Sequence, residues 1–183
     1  MIDAAARLDA EKRLTAIPGR RRLPRVEEIV TQLEMTAPEQ LNPAPLVDGV
    51  GLRTTGPGPL VRALHVRIGT PYRWPSATRG DVEWDRWLAA PQREYRLIEY
   101  RGEIAGAADF EPQPGNAVEI TTFGLLPEFV GKGLGGFALT LVVADAWALP
   151  GTRRVWLHTS TLDHPNALPN YLRRGFRGFS RPH

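Results

Sequence analysis

Leu60, Leu64 and Ile68 recur every four residues behind Pro59, and Gly69 follows; the spacing predicts a short helix that starts on proline and is capped by glycine. Trp84, Trp87 and Leu88 repeat at three and four, which places a second helix from an Asp81 N-cap to about Ala90. Tyr95 to Tyr100 and Glu103 to Glu111 read as two strands joined by the tight turn Arg101-Gly102, and Asn116 to Leu125 reads as a third. The longest helical pattern runs from Gly133 to Leu149. There Leu134, Phe137, Ala138, Leu141, Val142 and Trp147 begin after a glycine run and stop at Pro150-Gly151. Val155 to Thr159 is a further strand, Ala167 to Arg174 a helix halted by Gly175, and Phe176 to Phe179 a brief extension.

The first third of the chain is less regular. Asp3 to Ala16 is loosely helical and Pro18-Gly19 closes it ahead of Arg20-Arg21-Arg22, so residues 1–23 are expected to form a helical, basic extension to a domain spanning 24–183. Pro24 to Met35 satisfies two periods: Val26, Ile29, Val30 and Leu33 fit a helix, whereas Ile29, Thr31, Leu33 and Met35 alternate as a half-buried strand. Pro38 to Pro59 holds five prolines and four glycines in 22 residues and reads as an irregular connection with at most a short strand.

Composition narrows the chemistry. With 183 residues, 42% hydrophobic and 23% charged, the chain is expected to fold as one domain with a core that needs no staple. The absence of cysteine excludes a disulfide framework, a thiolate metal site and a cysteine nucleophile. His65, His158, His164 and His183 have no zinc-type helical spacing, so no metal is expected. No apolar run approaches the ~18 residues of a membrane span, and Met1 to Ala10 carries acids where a signal peptide is cationic; a cytoplasmic location without membrane contact is expected. The net charge of +3 is concentrated at the end, where Arg153, Arg154, Arg173, Arg174, Arg177 and Arg181 face one acid, Asp163. Without a basic and aromatic stripe this charge predicts no nucleic-acid partner; it is a solvated surface or an anion-binding rim.

The densest segment is Leu125 to Gly136, which ends in Gly131-Lys132-Gly133-Leu134-Gly135-Gly136 and lies between a predicted strand and the longest helix. Glycines crowd a helix start when backbone must approach something closely, and free amides there, with the helix dipole, suit phosphate oxygens. A flexible turn also uses glycine. A Walker loop fails, because six residues separate Gly124 from Gly131 and Gly133 follows Lys132. Gly131, Gly133 and Gly136 match the dinucleotide fingerprint, so an NADP-binding Rossmann-type module with Arg153 and Arg154 near a 2′-phosphate stays as an alternative.

The same residues resemble the GNAT superfamily of acetyl-CoA-dependent N-acetyltransferases. Val130-Gly131-Lys132-Gly133-Leu134-Gly135 matches its motif A, with Val130 where the family carries Gln or Arg. Ala167, Tyr171, Gly175 and Phe176 match its motif B, with His164 where Asn is usual. His158 to Pro165 resembles an uncharacterised subgroup of the same family. The resemblance implies an α/β fold with a mixed, mainly antiparallel central sheet flanked by helices, and it turns Glu28 to Met35 into a first strand. It also implies an enzyme that moves an acetyl group from acetyl-CoA, without metal, to a primary amine on a small molecule or peptide. Transfer would be direct, as the lack of cysteine allows. A CoA-binding relative without catalysis is the second alternative, suggested by Val130 and His164.

Such a transfer needs a neutral amine, a fixed thioester, a donor to the oxyanion and a proton for the departing thiolate. By the resemblance, backbone at Leu125 and Leu126 pairs with pantetheine at a splayed strand edge. The turn Gly131, Lys132, Gly133, Leu134, Gly135 and Gly136 holds the pyrophosphate, and Tyr171 supplies the thiolate's proton. Glu119 occupies the seat of a general base, and His158, which titrates near neutrality, is its rival. Tyr72 and Trp74 are expected in the acceptor wall, Trp84 and Trp87 in the core, and Asp163 and His164 in a turn. The family usually ends in a hairpin and few residues follow Gly175, which predicts an open sheet edge that a second subunit, in a homodimer, could cover.

Overall fold

The computed structural model describes residues 27–180; the expected helix over Asp3 to Ala16, the 1–23 extension, its junction at Pro24 and His183 lie outside them. The strands are β1 Val30–Met35, β2 Val50–Thr55, β3 Glu94–Tyr100, β4 Glu103–Gln113, β5 Ala117–Leu125, β6 Arg154–Ser160 and β7 Arg177–Gly178. The helices are α1 Pro59–Gly69, α2 Asp81–Leu88, α3 Gly135–Ala148 and α4 Ala167–Arg173.

One seven-stranded sheet runs in the order β2-β3-β4-β5-β6-β1-β7. Every pairing is antiparallel except β5 with β6, which is parallel over only Ala117 to Glu119 against Arg154 to Trp156. This is the expected mixed, mainly antiparallel sheet flanked by helices, and it overturns the Rossmann alternative, which needs consecutive parallel strands. Arg154, assigned there to a 2′-phosphate, instead pairs with Glu34 of β1 at 2.5 Å.

β4 is buried at every position from Ala105 to Phe110, so both faces of the sheet are covered. α3 packs Ala138, Leu139, Val142, Val143 and Ala146 into this core, each at 0% exposure. Its register is pinned by Arg96 of β3, whose buried guanidinium bonds Asp145 of α3 at 2.5 Å and Glu94 at 2.6 Å. No helix among the described residues is long and apolar enough to cross a membrane.

Local corrections have local causes. Gly69 is the last helical residue, with φ −81°, because Thr70 to Tyr72 continues as a 3-10 turn; it is no left-handed cap. Gly80 caps α2 and Asp81 is its first residue, with the Glu83 carboxylate accepting from the Gly80 amide at 3.1 Å. α3 begins at Gly135 instead of Gly133, because Gly133 has φ +76° and cannot be α-helical.

The first strand decides what stands at the sheet edge. β1 is a strand, its Leu33 and Met35 buried, and it lies between β6 and β7. It pairs along six residues with β6, Val30 opposite Ser160 and Met35 opposite Val155. β1 thus takes the place beside β6, and the sheet ends on that side in β7, two exposed residues that pair only with Leu33 and Glu34, so a largely open edge remains there.

Candidate active site

The site starts from a defect in the sheet. β5 and β6 pair only as far as Glu119 and Trp156 and then diverge. Just beyond, β5 opposes Thr122 to Asp109 and Ile120 to Phe110, so Thr121 is an extra residue on β5. A bulge bends its strand and ends pairing, and here it opens a wedge between the second half of β5 and the end of β6. Two clefts adjoin it.

The first cleft, about 470 Å³, is lined by Phe123 to Leu125, by Val130 to Gly136 except Lys132, and by the α4 residues Ala167, Asn170, Tyr171 and Arg173 with Arg174 just after the helix. The glycine turn forms its floor. Gly131 and Gly133 have φ +81° and +76°, a conformation that costs side-chain-bearing residues, which explains why glycine stands at both. The Lys132 N–H closes the turn over Val130 and Gly131, and none of the amides from Gly133 to Gly136 donates to an acceptor among the described residues; the first bond of α3 is Ala138 N to Leu134 O, 2.9 Å. A Cβ on Gly135 would meet only Asn170 Nδ2, 3.9 Å away, so it would stand in the cleft instead of in packing. Unused amides at the start of a 14-residue helix make an anion cradle.

The last turn of α4 completes the cradle. Asn170 Nδ2 donates to Gly135 O at 3.1 Å, locking α4 to the turn. Arg174 is 9% exposed, its Nε has no protein partner, and burial lowers its pKa, with Arg173 adding repulsion. Two adjacent guanidinium groups over free amides suit a polyphosphate. Arg173 and Arg174 belong to the basic tail read from sequence as a solvated surface or an anion-binding rim, whereas Asn170 left no signal in residue type. α4 ends where it does because Gly175, at φ +102°, brings the chain within 1.9 Å of Gln40 O at its would-be Cβ, a place where only glycine fits.

Two expected cofactor residues fall differently. Leu126 is buried, its N–H donates to Ala105 O at 2.8 Å and its carbonyl accepts from Phe129 N at 2.9 Å, so its N–H is not left for a ligand. Leu125 lines the cleft as expected. The Lys132 ammonium sits 5.0 Å from the centre of the Phe129 ring and the side chain stays outside the cleft; its amide alone belongs to the turn.

The second cleft, about 450 Å³, is lined by Glu119 to Phe123, Leu157, His158 and Ser160, by Tyr72 to Ser76, and by His65, Arg79, Trp87, Arg93 and Glu111. The rival bases prove to be one unit: His158 Nδ1 is 3.4 Å from Glu119 Oε1. Glu119 is the more buried partner, 12% exposed at its side chain against 51% for His158. Its other oxygen accepts from Gln113 Nε2 at 2.6 Å, and Gln113 Oε1 accepts from Trp156 Nε1 at 3.2 Å. Strand alternation sets this face, since Val118 and Ile120 are 3% and 4% exposed on either side of Glu119.

Tyr72, Trp74, Phe123, Asp163 and Tyr171 line both clefts and so mark where they meet. The Tyr171 ring packs edge-on to Phe123 and Phe176, with centroids 6.3 and 6.1 Å away. Burial, and secondarily the Asp163 charge, push its phenol well above the ordinary value of 10.0, so it stays protonated. Asp163 is structural: it accepts from Trp74 Nε1 at 2.8 Å, Thr159 Oγ1 at 2.6 Å and Ser160 N at 2.9 Å. His164 accepts from Asn166 N at 3.1 Å and meets the Tyr72 ring edge-on, which makes it a turn residue as expected. Trp84 is core at 1% exposure, but Trp87, expected beside it, lines the second cleft.

Residues 61–176 match the model of the acetyltransferase (GNAT) family. Among solved structures, a GCN5-related N-acetyltransferase from Kribbella flavida is 19% identical with a TM-score of 0.60, over 82% of this chain and 56% of that one. A GCN5-related N-acetyltransferase from Sphaerobacter thermophilus is 20% identical with a TM-score of 0.59, over 83% and 48%. The dodecameric spermidine N-acetyltransferase from Vibrio cholerae is 15% identical with a TM-score of 0.55, over 73% and 82%. At these identities the likeness is one of fold, and the chain spans about half the length of the first two. No curated protein matches the sequence.

Proposed function

The chain belongs to the GNAT acetyltransferase family, whose chemistry is acyl transfer, and on that premise we propose that it transfers an acetyl group directly from acetyl-CoA to a primary amine. The observation that carries this reading is the meeting of the two clefts at Tyr171, with an anion cradle on one side and the Glu119–His158 pair on the other. The residues present fit CoA: unpaired amides from Gly133 to Gly136, open space at Gly135 and the unpartnered Arg174 Nε are donors and room that a polyphosphate would use. Bound there, acetyl-CoA supplies an acetyl thioester that an amine can attack.

The protein's own groups do the remaining work. The Glu119–His158 pair takes the proton that leaves the acceptor ammonium, Glu119 holding the imidazole in place through Nδ1. As the nitrogen–carbon bond forms and the carbon–sulfur bond breaks, Tyr171 Oη gives its proton to the sulfur; the nitrogen sheds its second proton to water, and the phenolate of Tyr171 regains one from water. Its raised pKa suits a donor that must not ionise beforehand. Strand β5, splayed from β6, leaves edge amides near Phe123 to Leu125 to pair with the donor and its carbonyl oxygen. Tyr72 and Trp74 wall the acceptor side, Trp74 fixed by Asp163.

Calorimetric titration with acetyl-CoA and, separately, NADPH tests the cofactor. Micromolar binding of acetyl-CoA with a raised melting temperature is expected, since a ligand that binds only the folded state stabilises it. Stabilisation by NADPH alone would overturn the reading.

A further inference from the structure

The inner end of the second cleft holds a cluster of cations that the transfer chemistry does not use. Arg93 is 7% exposed at its side chain; its Nη2 pairs with Glu111 at 2.5 Å, while its Nε and Nη1 are buried without a partner. Arg79 Nη1 and Trp87 Nε1 are buried and unpartnered beside it. Both guanidinium groups sit on the same indole, with Arg79 Cζ 4.2 Å and Arg93 Cζ 3.5 Å from the Trp87 ring centre. His65 Nε2 and Asp109 Oδ2, also buried there, lie 2.8 Å apart without the alignment of a hydrogen bond. Beside them Arg79, Trp87 and Arg93, which line the cleft, hold four buried N–H donors without a partner. Buried donors without partners are costly, and two like charges on one ring add repulsion; burial lowers the Arg79 pKa and Arg93 lowers it further, against Glu83 and Asp109. An anion relieves all of these costs at once.

We propose that the acceptor carries a carboxylate, bound by Arg79 and Arg93 at the inner end of this cleft, so that the substrate class is an amino acid. The proposal rests on the acetyl-transfer reading for the amine end only. A guanidinium edge offers parallel donors that match a carboxylate. Asp109 and Glu111 stand beside the arginines and would repel a dianion, which favours a carboxylate over a phosphate. The register gives the reach: Glu111 lies directly opposite Glu119 on the next strand, about 5 Å away at Cβ. The arginines lie beyond Glu111, so amine and carboxylate are separated by a chain of several atoms.

The test is calorimetry in the presence of CoA with glycine, 4-aminobutanoate and 6-aminohexanoate against butylamine and hexylamine, on the wild type, Arg79→Gln and Arg93→Lys. The expected result is binding of at least one longer amino acid roughly 10- to 100-fold tighter than its matched amine. That preference should fall to within about threefold in Arg79→Gln, and weaken in Arg93→Lys, which keeps the charge and loses the fork. Melting curves confirm folding, and Arg93→Lys serves if Arg79→Gln does not fold. Equal binding of acids and amines, a preference unmoved in the folded variants, or tighter binding of phosphoethanolamine through the same arginines would overturn the proposal. Adding acetyl-CoA separates the two claims. An amino acid bound but never acetylated defeats acetyl transfer and spares the carboxylate subsite; hexylamine acetylated as fast as 6-aminohexanoate defeats the subsite and spares transfer.

Discussion

Tyr171 carries the sharpest expectation at the scale of single residues. Tyr171→Phe keeps both ring contacts and removes one hydroxyl, so kcat should fall ~10²- to 10⁴-fold while acetyl-CoA affinity, measured by calorimetry, barely changes. The raised phenol also has a stability sign. Below about pH 10 both folded and unfolded states keep the proton; above it the unfolded phenol ionises first, so stability drains away as pH climbs towards the folded value. Tyr171→Phe should therefore lose less stability than the wild type in denaturant melts between pH 9 and 11. For the base, pairing changes what the pH profile reads. With Glu119 and His158 3.4 Å apart, His158→Gln should abolish the acidic-limb ionisation of kcat/KM, and Glu119→Gln should move that limb to lower pH, because a neighbouring carboxylate favours the imidazolium. Loss of the limb in Glu119→Gln alone would return the role to the carboxylate. Sequence exposed Tyr171 and the glycines because motif spacing and φ > 0 leave traces in residue type. It hid the Glu119–His158 pairing and the Arg79, Arg93 and Arg174 donors, since these depend on which distant segments fold together.

Elements bounded by turn residues or by a glycine run and a proline were legible: β3, β4, β5 and α3 lie within two residues of their expected spans. Pro24 to Met35 was not, because its apolar residues serve two periods equally, and only pairing with β6 decides for a strand. The start of α3 is where element geometry meets function. Gly135 is helical and its Cβ direction is open, so Gly135→Val should leave the melting temperature within a few degrees and weaken acetyl-CoA binding at least tenfold. Gly133→Val is a poorer probe, because φ +76° strains any side chain and costs about 1 kcal/mol or more of fold stability as well. Unchanged acetyl-CoA affinity in a folded Gly135→Val would remove the pyrophosphate from this turn.

Across the described residues, a single open sheet brings the first strand, β1, between β6 and the last strand, β7. β1 fills the slot between β6 and β7, and Leu33, 1% exposed, sits opposite both Leu157 and Gly178. Leu33→Ala should cost about 2–4 kcal/mol in denaturant unfolding, well above an exposed strand change. A loss under about 1 kcal/mol would mean that β1 contributes little to the fold. The same sheet, opened by the Thr121 bulge, brings the cleft at the glycine turn and the cleft at Glu119 and His158 together at Tyr171. The most direct test of that arrangement is CoA thiol release from acetyl-CoA over a panel of primary amines, wild type against Tyr171→Phe. The expected result is release that depends on an amine and drops at least ~100-fold in the variant. Acetyl-CoA that binds at the glycine turn yet yields no amine-dependent thiol with any acceptor would contradict it, and would leave a CoA-binding protein without transfer.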